Sequence, residues 1–172
     1  MRVLLLAATA AGLAGCQSAP EQDAPRATAS LQATKGNKTF GEATFEQVGS
    51  KVHAVIYVQG LKPGAEHGLH IHEAGDCSSG DGESAKGHFN PQGKPHGQPG
   101  SSERHAGDLP ALKAAKNGRA KVDAQVDLIT VTPGANSIVG RAVIVHADPD
   151  DYKTQPTGNA GARLACGVIR PG

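Results

Sequence analysis

"GRAKVDAQVDL", residues 118–128, alternates without a break. Ala120, Val122, Ala124, Val126 and Leu128 fall on one side, and Arg119, Lys121, Asp123, Gln125 and Asp127 on the other. Apolar residues at a period of two, with charges between them, describe an antiparallel strand buried on one face. "KVHAVIYVQG" (51–60) is a second strand, rich in β-branched residues and stopped by glycine. "TFGEATFEQV", "NSIVGRAVIVH" and "RLACGVI" continue the series, and "LKPG", "KNG" and "TPG" punctuate it as turns. "KNG" is read as a hairpin turn. The chain has 172 residues with 23 glycines, 11 prolines and only 3% aromatics, a composition that fits one loop-rich all-β domain. Short strands separated by regular turns predict a sandwich or barrel.

One region lacks this period. Residues 74–110, "AGDCSSGDGESAKGHFNPQGKPHGQPGSSERHAGDLP", show no strand pattern. A loop of that length inside a compact domain is uncommon and usually functional. It carries Cys77, His88, His96, His105 and Asp108. Directly before it stands "HGLHIHE" (67–73). As a strand, this heptad sends Leu69 and Ile71 to the core and His70 and His72 to the opposite face. Two neutral imidazoles on one face can share a metal, although His-x-His alone is a weak signal. The loop strengthens it, because three imidazoles and a carboxylate make a closed tetrahedral set for zinc. His146 ends another predicted strand, just before "ADPDD".

"GLHIHE", "GHFNP", "KPHG", "RHAGDLP", "VGRAVIVH" and "GNAGARLACGVI", taken together and in order from about residue 31 to 170, resemble the copper/zinc superoxide dismutase family. The steps from His88 to His96, His105 and Asp108 agree with the family's zinc loop. The short "HEAGDC" step resembles the bacterial branch. The resemblance implies an all-β, Greek-key antiparallel sandwich or flattened barrel of the immunoglobulin-like kind, with a long metal-binding loop. It implies copper ligands His70, His72, His88 and His146, and zinc ligands His88, His96, His105 and Asp108, with His88 bridging. All-nitrogen ligation suits a redox-cycling copper, and a carboxylate suits redox-silent zinc.

The same resemblance assigns Arg163 to the arginine beside copper, where a guanidinium attracts a small anion. Thr157 matches the threonine that narrows the channel. Asp150 matches the aspartate whose carboxylate orients one copper-ligand and one zinc-ligand histidine. Cys77 and Cys166 match the family disulfide. The implied activity is that of an oxidoreductase converting superoxide to dioxygen and hydrogen peroxide, with His88 serving in turn as ligand and acid. His53 is expected on a strand surface and His67 at the mouth of a turn, neither as a ligand. Residues 146–158 are acidic at Asp148, Asp150 and Asp151, with Lys153 their only base, so steering of an anion must come partly from elsewhere.

The N-terminus reads as a targeting segment. "MRVLLLAATAAGLAGC" has a basic residue, an apolar run too short to span a bilayer, and small residues before Cys16. "LAGC" resembles the lipobox of bacterial lipoproteins, which implies cleavage before Cys16 and acylation of its sulfur. Gln17 after the cysteine points to the outer membrane of a Gram-negative bacterium, with the protein in the periplasm and held to the membrane only by the lipid. The expected organisation is a signal peptide over 1–15, a lipidated cysteine and tether over 16–30, and the catalytic domain over 31–172.

Removing Arg2 with the signal takes the formal charge from +1 to zero, and no basic patch remains for nucleic acid. Export leaves Cys77 and Cys166 in an oxidising compartment, where an even pair favours a bridge over free thiols. Thiolate metal ligation is the weaker alternative, since neither cysteine lies in a C-x-x-C pair. The oligomeric state is open between monomer and homodimer.

Overall fold

The computed structural model describes residues 24–172. The signal peptide and Cys16 therefore lie outside the described residues. Ten strands form β1 (Arg26–Ala33), β2 (Phe40–Val48), β3 (Lys51–Gln59), β4 (Glu66–His67), β5 (Leu69–His72), β6 (Leu112–Lys113), β7 (Ala120–Val126), β8 (Ala142–His146), β9 (Arg163–Val168) and β10 (Arg170–Pro171). Among the described residues the only helical element is a single 3₁₀ turn, Glu83–Ala85. The expected all-β antiparallel Greek-key fold is what the chain adopts.

Eight strands share one curled sheet in the order β5-β8-β9-β1-β2-β3-β7, with β10 also paired to β1, and β4 and β6 make a separate ribbon. β1 is the seam. Its first six residues pair with β2, and its last two, Gln32 and Ala33, pair with Cys166 and Ala165 of β9. The two halves thus fold over a common core that includes Phe45, Ile56, Leu69, Ile71, Val143 and Val145.

β1 begins at Arg26, so residues 26–30, assigned from sequence to the tether, belong to the folded domain. Ala27, Ala29 and Leu31 alternate into the core between exposed Arg26, Thr28 and Ser30, but alanine is too weak a hydrophobe for that period to stand out. The 118–128 period holds through Val126, after which Leu128 adopts a positive φ and leaves the ladder. "KNG" does turn the chain, with Gly118 at positive φ, yet β6 before it pairs with β4 rather than with β7. The 74–110 segment carries no strand, as its lack of period implies.

β8 is buried on both faces. Val143 and Val145 enter the main core, while Ala142 and Ile144 form a second cluster with Ala85 and Cys166. Register carries His70 opposite Ile144 and His72 opposite Ala142, so both imidazoles share this second face. His146 follows on the same face. A β-bulge completes the arrangement, since Val145 pairs with Ala165 but His146 pairs with Arg163. The extra residue, Leu164, packs toward the main core, and the bulge thereby turns Arg163 to the histidine side.

Candidate metal centre

The long loop returns along β5 as a short backbone ladder. Phe89 N–H donates to the Ile71 carbonyl at 2.8 Å, Ile71 N–H donates to the Gly107 carbonyl at 2.9 Å, and Gly107 N–H donates to the Phe89 carbonyl at 2.9 Å. Isolated bridges pair His72 with His88 and His70 with Asp108. Backbone pairing therefore delivers the loop's side chains to the two histidines of the strand. Gly107 is required there, because a Cβ would overlap the Ile71 carbonyl.

Two groups of donor side chains result, His70/His72/His88/His146 and His88/His96/His105/Asp108, and within each the candidate ligand atoms lie within 4.8 Å of one another. His88 belongs to both. All seven side chains are buried. The face opposite the core that carries His70 and His72 is not open to solvent, since the 74–110 loop and residues 147–162 roof it.

The hydrogen bonds assign the ring nitrogens. His72 Nδ1 donates to the Lys86 carbonyl at 2.8 Å and His146 Nδ1 to the Gly161 carbonyl at 3.2 Å. Their Nε2 atoms, 3.3 Å apart, then both carry bare lone pairs. Burial, followed by the charges of neighbouring histidines, drives both rings well below the ordinary histidine pKa, so protonation does not relieve that contact. His70 Nε2 donates to Asp150 Oδ2 at 2.7 Å, which leaves His70 Nδ1 without a partner, and His88 Nε2 is also unpartnered. Buried polar atoms without partners are rare, and four converging nitrogens of this kind fit a cation that accepts imidazole.

Asp108 organises the second group. Its Oδ1 lies 3.0 Å from His88 Nδ1 and 3.4 Å from His105 Nδ1, and its Oδ2 lies 3.1 Å from His96 Nδ1. The backbone N–H of His105 holds the same carboxylate at 2.9 Å. Burial alone would raise the Asp108 pKa, but hydrogen bonds from His105, His88 and His96 hold it far below the usual carboxylate range. One anion facing three imidazoles fits zinc.

Asp150 links the groups, because its Oδ1 accepts from His96 Nε2 at 2.9 Å while Oδ2 accepts from His70. Gly158, at φ 66°, packs so closely that a Cβ would overlap both the Asp150 carboxylate and the His96 ring. Thr157 is half-buried beside it. Arg163 is held by the Gly82 carbonyl at 2.7 Å, and Cys77 and Cys166 form a disulfide that ties the 78–86 segment to β9.

Four contributors were not legible in the sequence. His67 is buried in β4 rather than at a turn mouth, and its Nδ1 donates to the His146 carbonyl at 2.9 Å. The Lys86 and Gly161 carbonyls fix tautomers through backbone atoms, which no motif records. Gln155 clamps His96 from both sides, accepting its N–H at 2.8 Å and donating to its carbonyl at 2.9 Å. His53 is a partly exposed residue of β3 paired with Asp123, apart from the centre.

Comparisons agree with this geometry. The family model for copper/zinc superoxide dismutase (SODC) matches residues 39–169. Superoxide dismutase [Cu-Zn] 2 of Aquifex aeolicus (strain VF5) is 42% identical over 149 residues, covering 84% of this chain and 86% of the relative. Superoxide dismutase [Cu-Zn] of Paramecium bursaria Chlorella virus 1 is 45% identical over 135 residues, covering 75% of this chain and 71% of the relative. Among solved structures, the clock protein EA4 superposes with a TM-score of 0.78 at 40% identity, covering 90% of this chain and 99% of that one. With one histidine common to both donor groups, an aspartate at the centre of the second group and these relatives, the chain belongs to the copper/zinc superoxide dismutase family.

Proposed function

We propose that this superoxide dismutase holds copper at His70 Nδ1, His72 Nε2, His88 Nε2 and His146 Nε2, and zinc at His88, His96, His105 and Asp108. The single observation that carries the assignment is His88, which belongs to both donor groups, with Nδ1 3.0 Å from Asp108 Oδ1 and Nε2 buried without a partner. When bound, copper supplies one-electron cycling between Cu(II) and Cu(I) and zinc supplies a fixed positive charge. The rest is done by the chain. Asp150 and the Lys86 and Gly161 carbonyls hold the rings in the tautomers that point bare nitrogens inward. His88 Nε2, with Nδ1 anchored beside Asp108, is the atom able to hold and release a proton next to the reacting anion. Arg163, 11% exposed and fixed through Gly82, offers a guanidinium that attracts and orients superoxide. Thr157 borders the approach. Two superoxide ions and two protons give dioxygen and hydrogen peroxide.

The cellular setting belongs to the same proposal. "LAGC" directly after a short apolar run supports export and acylation at Cys16, and a disulfide among the described residues suits an oxidising compartment. We place the domain in the periplasm, tethered to the outer membrane by lipid, where it protects the envelope from superoxide. No helix among the described residues is long and apolar enough to cross a membrane. A Cys16→Ser variant is expected to leave the membrane fraction; retention there refutes acylation.

The competing reading is a metal buffer without catalysis. A riboflavin-based superoxide assay on copper/zinc-loaded protein beside apoprotein separates the two. The enzyme reading expects activity only with copper present, and equal rates in both samples contradict it.

A further inference from the structure

Arg163 has a partner that an anion-binding arginine does not need. Its Nη2 lies 2.9 Å from Glu83 Oε2. The guanidinium side chain is 11% exposed and that of Glu83 is 65% exposed, so the carboxylate sits at the solvent side of a nearly covered cation. Nη1 is already committed to the Gly82 carbonyl at 2.7 Å. The loop is built closely against this arginine, since a Cβ at Gly82 would come within 3.2 Å of Arg163 Cδ. Asp81 Oδ1 accepts the Glu83 N–H at 3.0 Å and fixes the start of the 3₁₀ turn that carries Glu83. Among the described residues the Glu83 carboxylate has no second polar partner.

We infer that Glu83 is a positioning residue that acts through Arg163, as a tethered carboxylate competing with the incoming anion for the guanidinium. The inference rests on the assignment of Arg163 to superoxide attraction. A carboxylate and a small monovalent anion present the same charge and the same acceptor oxygens to the fork. The pair's exposure decides between blocking and competing. An ion pair with one partner largely in water is weak, so an anion displaces it at a cost of about two- to fivefold in apparent affinity. Glu83 also subtracts one positive charge from the field around Arg163, where Asp81 is a second negative neighbour. The result is a site whose anion affinity is held below what Arg163 alone would give.

The test uses copper/zinc-loaded full-length protein in four forms: wild type, Glu83→Gln, Arg163→Ala and the double variant. Azide binding is read from the copper visible spectrum, and kcat/KM for superoxide is read by stopped flow across ionic strength. Glu83→Gln is expected to tighten azide binding and raise kcat/KM about two- to fivefold at low salt. The gain should narrow toward one as the screening length falls from about 30 Å at 0.01 M to about 3 Å at 1 M. The double variant should match Arg163→Ala in both readouts. Glu103→Gln, which removes another exposed carboxylate, paired with Lys94, is the control for net charge and should leave azide affinity unchanged. Unchanged azide affinity in Glu83→Gln, or a gain no larger than that of Glu103→Gln, overturns the inference while leaving Arg163 in place. An Arg163→Ala variant with wild-type rate overturns the Arg163 assignment, and the inference with it.

Discussion

Asp150 Oδ2 accepts a hydrogen bond from His70 Nε2 at 2.7 Å inside a fully buried contact, while the other oxygen of the same carboxylate takes His96. One side chain thus fixes the ring of a copper-group histidine and the ring of a zinc-group histidine. Burial alone would raise its pKa, but the bonds from His70 and His96 pull it well below the usual carboxylate range.

Replacing Asp150 with Asn keeps the shape and removes the charge-assisted acceptor. Affinity for both metals is expected to fall about 10- to 100-fold, the usual cost of losing a group that orients a metal-binding histidine. Competitive chelator titrations of copper and zinc check this. A loss confined to one metal contradicts the shared role.

Gly158→Ala forces a Cβ into the space held by Asp150 and His96, at a backbone φ of 66°. The strained conformation alone costs about 1–3 kcal/mol. Thermal melts of the metal-loaded variant should show lower stability, with zinc retained less firmly than in wild type. Ala at Gly87, where no atom lies within 4 Å of an added Cβ, should be tolerated.

Metal removal should expose a bell-shaped pH dependence of stability. Burial, outweighing the hydrogen bond to Asp108, lowers His88 to about 4, and it also lowers His70, His72 and His146. Below about 6.5 the unfolded chain takes up protons at these rings that the folded chain refuses, so apoprotein stability falls as pH drops toward 4. His96 runs the other way. Burial lowers it, but the Asp108 and Asp150 carboxylates prevail and raise it to about 9. Its contribution is complete below about 6.5 and is lost as pH rises through 9. Melts of apoprotein from pH 4 to 9 should peak near neutrality. A steady rise up to pH 9 contradicts this balance.

Removing the disulfide by Cys77→Ser and Cys166→Ser opens a span of 89 residues. Loss of that constraint is expected to cost about 4–5 kcal/mol in the chain-entropy description. The 78–86 segment also supplies the Gly82 carbonyl to Arg163 and the Lys86 carbonyl to His72. Copper affinity and kcat/KM should therefore fall, with zinc affinity nearly unchanged. Equal loss of both metals would locate the effect elsewhere.

Strands with strong side chains were legible from sequence, as Val122 and Val126 in β7 or Ile56 and Val58 in β3 illustrate. β1 was not legible at its start, because Ala27 and Ala29 bury too little surface to register as a period. The two donor groups were readable from histidine spacing and family motifs, since each residue type carries its own chemistry. What escaped was conformational. The bulge that turns Arg163 toward His146 depends on how Leu164 packs, and the roof over the imidazoles depends on loop backbone. Glu83 stands in a run of polar loop residues, and nothing local marks it as the neighbour of an arginine 80 positions later.

In the proposed centre one imidazole, His88, serves two different metals. A crystal structure of copper/zinc-loaded protein, with anomalous scattering recorded at both absorption edges, tests it most directly. Copper is expected among His70, His72, His88 and His146, and zinc among His88, His96, His105 and Asp108. Copper and zinc scattering from sites that do not share His88, or one metal filling both groups at full loading, would contradict it.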